Sequence, residues 1–128
     1  MIIAPTDLAN IQWAIQHYAN NTCIRFIPRT TESVYVTIKN NEAGCWSYMG
    51  RSTSNTYNQI NLQTPGCTST GTIVHEMMHA VGFHHEQVRS DRDQWITINR
   101  SALLPQYQTD SFFNTNFGIF SGGLTSVS

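Results

Sequence analysis

The sequence has 128 residues and a formal net charge of −1. That length suits one domain with a single modest core, and 40% hydrophobic against 12% charged residues is a globular rather than a disordered composition. No cluster of Lys or Arg offers a nucleic-acid or anionic-membrane surface, and no apolar run approaches the ~20 residues that span a bilayer.

In chain order, residues 1–5 are too short for a secretory signal. Pro5-Thr6-Asp7 opens a helix, with Thr6 or Asp7 able to cap free N–H groups. Leu8, Ile11, Ile15 and Tyr18 give it an amphipathic stripe, and Asn20-Asn21 is a plausible stop. His17 beside the stripe reads as a surface or half-buried histidine. Residues 24–27 read as a strand stopped by Pro28, and β-branched residues 34–38 as a second. Residues 40–44 are a turn, 45–49 short extended structure and 51–56 a polar loop. Residues 59–63 alternate polar and apolar like a half-buried strand, ended by Pro65-Gly66. Thr70-Gly71-Thr72 then caps a helix running to Gly82, whose apolar side is Ile73, Val74, Met77, Met78 and Val81. These elements predict an α+β fold, a twisted sheet of about four strands on two helices.

The second helix carries the chemistry. Residues 75–86 read H-E-x-x-H-x-x-G-x-x-H-E. His75 and His79, at i and i+4, share one helix face and can hold one zinc ion. Glu76 is not placed as a ligand but can reach a metal-bound water as general base. His85 lies ten residues after His75, ~15 Å along a continuing helix, so it joins the metal only if the chain turns back. Gly82 permits that turn because it adopts left-handed backbone without a Cβ clash. Three ligands leave a fourth position for water, the mark of a catalytic site. H-E-x-x-H alone recurs by chance in amphipathic helices; the added Gly82 and His85 make it the metzincin form.

The run from His75 to Ile98 resembles the signature of the astacin family of zinc endopeptidases. Phe83, Glu86, Arg89, Asp91, Arg92, Asp93 and Ile98 fall in place, with Trp95 where tyrosine is more usual. Residues 23–30 and 44–51 also look like astacin segments. The resemblance covers residues 4–105 and fades over 106–128, whose polar end looks flexible.

The resemblance implies a zinc-dependent endopeptidase acting on protein or peptide substrates, with one Zn²⁺ on His75, His79 and His85 and Glu76 as base. It assigns the third ligand to His85 rather than His84. It implies a Cys45–Cys67 disulfide and leaves Cys23 unpaired, since the family's partner is a later cysteine. Gly82 and Glu86 take structural roles at the site, and the charges of residues 89–93 pair to fix the chain after it. Arg25, Arg29 and Arg51 read as exposed charges. The substrate would lie extended beside an edge strand near Asn61-Leu62-Gln63. Against the family pattern, the first strand and the later methionine turn are expected to be missing, so residues 1–128 read as one partial peptidase domain. The alternative is a truncated, non-catalytic zinc- or peptide-binding module. The cysteines and the sequons at Asn20 and Asn99 suit a secreted protein.

Overall fold

The computed structural model describes residues 4–118, with 115–117 by backbone alone. The chain divides into two compact units, Met1–Phe83 and His84–Ser128.

The first unit opens with α1, Pro5–Asn21, with proline in its first turn. Its N-cap is Ala4, which makes no side-chain cap bond. Thr6 and Asp7 therefore lie inside the helix rather than at its cap. The buried positions are Asp7, Ile11, Ala14 and Tyr18, a stripe rotated from the one the apolar pattern suggests. Leu8 is 45% exposed, whereas Ala14 is fully buried. A small residue lets a helix lie close against its neighbours, so packing distance and not hydropathy chose the face. Polar tethers complete the seating: the Thr64 hydroxyl donates to the Asp7 carboxylate at 3.4 Å, Asn10 Nδ2 to Thr68 O at 2.9 Å and Tyr18 Oη to Val74 O at 3.0 Å. Burial pushes the Tyr18 phenol pKa up. His17 is exposed and stacks on Trp13 at 4.8 Å.

Three short strands form the sheet: β1 Thr37–Lys39, β2 Cys45–Ser47 and β3 Gln59–Leu62. Their order is β1-β3-β2, with β1 parallel and β2 antiparallel to β3. Residues 24–27 lie outside any ladder, so three strands pair among the described residues. Ile24 and Phe26 nonetheless pack against the core, and Phe26 meets Tyr18 edge-on at 5.2 Å. Their alternation reports one buried side rather than strand pairing. The expected strand 34–38 starts late because a side chain satisfies its backbone first. Asn55 Oδ1 accepts the Tyr35 N–H at 3.0 Å, and its Nδ2 donates to Ser33 O at 2.7 Å.

Ile38, Ile60 and Ser47 stand in one cross-strand row, and Lys39, Asn61 and Trp46 in the next. Because side chains alternate across a strand, these rows occupy opposite faces. Ile60 and Leu62 enter the core with Ile11, Ala14, Tyr18, Cys67, Ile73 and Met77. Ile73 and Met77 come from α2, Thr70–Ala80. Its N-cap is Ser69, one residue before the expected Thr70, and Ser69 Oγ accepts the Thr72 N–H at 3.2 Å. Met78, expected on the apolar side, is 39% exposed.

On the other sheet face Asn61 is fully buried. Its Oδ1 accepts the Glu42 N–H at 3.2 Å, and its Nδ2 donates to Glu42 O at 2.9 Å and Gly44 O at 2.7 Å. One amide thus holds the 40–44 turn by its backbone. Asn58 clamps the next loop in the same way, through Ser52 N and O, both at 2.8 Å.

The second unit contains 3₁₀ turns at Glu86–Val88, Arg92–Gln94, Arg100–Ala102 and Pro105–Tyr107, then α3, Asp110–Phe117. Thr109 Oγ1 caps α3 by accepting the Phe112 N–H at 3.3 Å. Residues 105–117 form a turn and a helix; the polar end expected to be flexible lies outside the described residues. Arg89 grips Asp91 through two nitrogens at 2.9 and 2.8 Å and reaches Glu86 at 2.9 Å. These bonds hold the Asp91 pKa down and push the Arg89 pKa up. Arg92 is buried and donates to Gln87 O at 2.6 Å and to Asp93 at 3.2 Å. The paired charges of 89–93 thus fix local backbone.

Asn61→Ala would leave the Glu42 N–H and the Glu42 and Gly44 carbonyls without that partner. A buried polar group left unsatisfied costs about 1–3 kcal/mol, so chemical denaturation should show the variant destabilised by that order.

Candidate metal centre

One helix serves two purposes at once. Ile73 and Met77 bury one side of α2, while His75 is exposed and His79 half-exposed on another. The two imidazoles meet edge to face, centroids 4.7 Å apart at 83°, and their Nε2 atoms are 3.1 Å apart. Two nitrogens each 2.0–2.1 Å from one tetrahedral zinc would stand about 3.3 Å apart, so the pair is spaced for a shared ion. His79 Nδ1 lies 2.7 Å from Phe83 O. A carbonyl only accepts, so Nδ1 carries the proton and Nε2 keeps its lone pair for a metal.

The helix ends where the site needs it to. Gly82 has φ +108°, and the Gly82 N–H donates to His79 O at 2.8 Å while the Phe83 N–H donates to Met78 O at 3.2 Å. These are the two bonds of a Schellman motif. A third donor comes from outside the helix: the Gly50 N–H reaches His79 O at 2.9 Å. Gly50 also has positive φ, +65°, and a Cβ built on it would sit 3.7 Å from Gly82 Cα. Beyond this turn the ligand nitrogens of His75, His79 and His85 all lie within 4.8 Å of one another. His84 is not in that group.

Glu76 is 5% exposed, and its Oε2 has no hydrogen-bond partner among the described residues. Burial pushes its carboxyl pKa up, with His75 and His79 pulling it back down. Three imidazoles, an orphaned buried carboxylate beside them and a position for a fourth ligand are a donor set suited to zinc.

Cys45 and Cys67 form a disulfide with an S–S distance of 2.02 Å, and Cys23 is exposed with no disulfide. The bridge joins β2 to the segment that enters α2. Glu86 is bonded to Arg89. The expected placement of a substrate beside Asn61-Leu62-Gln63 is corrected: β3 pairs on both sides, so it is not an edge. Among the described residues β1 and β2 are the two edge strands, and the segment leaving β2 is the one bonded to α2, through the Gly50 N–H and His79 O. Sequence reasoning missed the donor from Gly50 and the acceptor at Phe83. Both act through backbone atoms, and only the glycine in a loop hinted at one of them.

An α+β unit whose helix presents paired histidines, followed by a glycine turn and a third histidine, has the metal centre of a metzincin. The family model for astacin, a peptidase family, matches residues 3–117. The chain belongs to that family. It is 42% identical over 97 residues to zinc metalloproteinase nas-14 of Caenorhabditis elegans, covering 74% of this chain and 19% of that protein. It is 37% identical over 99 residues to high choriolytic enzyme 1 of Oryzias latipes, covering 77% and 36%. The solved structure of that enzyme, described as a hatching enzyme zinc-protease, superposes with a TM-score of 0.74 at 32% identity, over 94% of this chain and 56% of that one. The chain thus spans well under half the length of these two curated relatives. The histidine triad is consistent with the catalytic zinc of astacins.

Gly82→Ala would force a side chain into the left-handed region. Such strain costs on the order of 1–3 kcal/mol. Denaturation of the variant should show a loss in that range, whereas an alanine at Gly71, a helical position with open space around its built Cβ, should cost nothing comparable.

Proposed function

We propose that this chain is part of a zinc endopeptidase, with His75, His79 and His85 as the metal ligands and Glu76 as the general base. The observation that carries the reading is the buried Glu76 carboxylate, unpartnered at Oε2 and flanked by two histidines whose nitrogens converge. A bound zinc would acidify a coordinated water and polarise the scissile carbonyl. Glu76 takes a proton from the attacking water as its oxygen bonds the carbonyl carbon, then passes it to the amine nitrogen as the C–N bond breaks. Its burial raises the carboxyl pKa, and a carboxylate that holds a proton more readily is better suited to take one up from water and return it. Phe83 O holds the His79 ring, and the Schellman turn supports the backbone at that ring.

The substrate class is a protein or peptide chain, docked on the open edge of β2. Tyr48 N–H donates to Gln59 O and Gln63 N–H to Gly44 O, so by antiparallel alternation Cys45 and Ser47 turn their own N–H and C=O away from β3. An extended peptide pairs there as an added strand. Residues 4–105 are read as one stretch of peptidase domain, with Gly82 and Glu86 structural at the site. The Cys45–Cys67 disulfide supports an extracellular setting. Among the described residues no helix is long and apolar enough to cross a membrane.

Two measurements test this. Elemental analysis should find one zinc per chain, with affinity falling at least about tenfold in His85→Ala, since each ligand contributes to a three-residue set. The zinc-loaded protein should cleave an unfolded protein substrate, and Glu76→Gln should keep its zinc while losing about 10²–10⁴-fold in rate. Full activity in Glu76→Gln would refute the general base. A folded, zinc-loaded chain no more active than Glu76→Gln would favour the non-catalytic module.

A further inference from the structure

The outer face of the sheet carries an aromatic group that neither the metal centre nor the core uses. Trp46 and Tyr48 lie two residues apart and so share one face of β2 and its continuation. Trp46 stands in the row of Asn61 and Lys39, opposite to the core-facing row of Ile60. The rings of Trp46 and Tyr48 meet edge to face at 5.5 Å, and Tyr48 meets Tyr57 in the same manner at 5.4 Å. Tyr57 comes from a separate turn, Asn55–Tyr57. Tyr48 is 38% and Tyr57 54% exposed. The Lys39 ammonium lies 4.8 Å from the Trp46 ring and pairs with Glu42. Three rings from two segments therefore form one continuous platform, with a cation beneath one end.

The platform adjoins the open edge of β2. Cys45 and Ser47 present the outward main-chain groups, and Trp46 and Tyr48 flank Ser47. In an antiparallel strand added there, the residues opposite Trp46 and Tyr48 form the non-hydrogen-bonded pairs, whose side chains approach most closely. Those two residues share the platform's face, because side chains alternate in step across a ladder. The residue opposite Ser47 points to the other face. The Gly50 N–H bond to His79 O places the end of this segment at the helix that carries His75 and His79, so a strand held there lies near the metal centre.

We propose that Trp46, Tyr48 and Tyr57 form a specificity platform for aromatic or large apolar substrate side chains, spaced two residues apart on a peptide strand paired with β2. This rests on the β2 docking described above. Ring edges and faces complement a further ring or a branched aliphatic group.

The test measures binding of short extended peptides to the zinc-loaded Glu76→Gln chain, which holds peptide without cutting it. One peptide carries Phe or Leu at alternate positions and its partner carries Ser there. The platform predicts a preference for the apolar peptide of about three- to tenfold, the scale of aromatic pair contacts. Tyr48→Ser with Tyr57→Ser should abolish that preference, and Tyr48→Phe with Tyr57→Phe should restore it. An N-methyl scan along the apolar peptide reads the docking separately: affinity should fall at every second position, the signature of an added strand. If the scan shows that period but the serine variants keep the preference, the platform is wrong and the docking stands. If N-methylation has no periodic effect, the docking fails and takes the platform with it. If the serine variants do not fold, as circular dichroism would show, Tyr57→Ser alone is used; Tyr57 is the more exposed ring, and an unchanged preference in that variant overturns its assignment.

Discussion

The structure of the first unit depends on α2 being anchored on one side and open on the other. Ile73 and Met77 are fully buried against β3 residues Ile60 and Leu62 and α1 residues Ile11, Ala14 and Tyr18. That burial fixes the rotation of the helix about its axis. With the rotation fixed, the 3.6-residue repeat leaves no freedom in where His75 and His79 point. Glu76, next to Met77, is carried into the buried side, which is why its carboxylate is dry while the histidines beside it are not. A core that packs well is therefore also what sets Glu76 and the two histidines in their different environments.

The end of α2 is as constrained as its body. The His79 carbonyl receives N–H groups from Gly82 and from Gly50, and the Met78 carbonyl receives Phe83. The last turn is thus closed by its own chain and pinned by the segment leaving β2. Two glycines with positive φ approach each other at that point. The Cys45–Cys67 bridge ties β2 to the chain entering α2 at its other end. The strand proposed to receive substrate is thereby attached to the ligand helix at both ends, by a covalent bond and by a backbone hydrogen bond. Preorganised positioning of this kind is what holds reacting groups near attack geometry.

Asparagine does much of the remaining work. Asn55, Asn58 and Asn61 lie three residues apart and each holds a loop through its backbone: 33–35, the segment at Ser52 and the 40–44 turn. Short strands cannot bury much surface, so side-chain amides replace ladder hydrogen bonds that a longer sheet would supply. The second unit uses charge for the same purpose, with Arg92 buried on Gln87 O and Arg89 bracing Asp91 and Glu86.

The sequence by itself determined the ligand helix, its glycine stop and the identity of His75, Glu76, His79 and His85, because these obey local rules of spacing and backbone conformation. The family signature added the disulfide pair and the choice of His85 over His84. Tertiary structure decided what local rules leave open. It turned α1 so that Ala14 is buried and Leu8 exposed, since close approach of packed elements favours a small side chain. It moved the α2 cap to Ser69, left residues 24–27 outside the sheet and ordered 105–117 into a turn and a helix. It made β3 the middle strand and β1 and β2 the edges, which no alternation pattern encodes, because strand order depends on long-range pairing. It also placed the backbone of Gly50 against His79, and a main-chain donor has no sequence signature of its own.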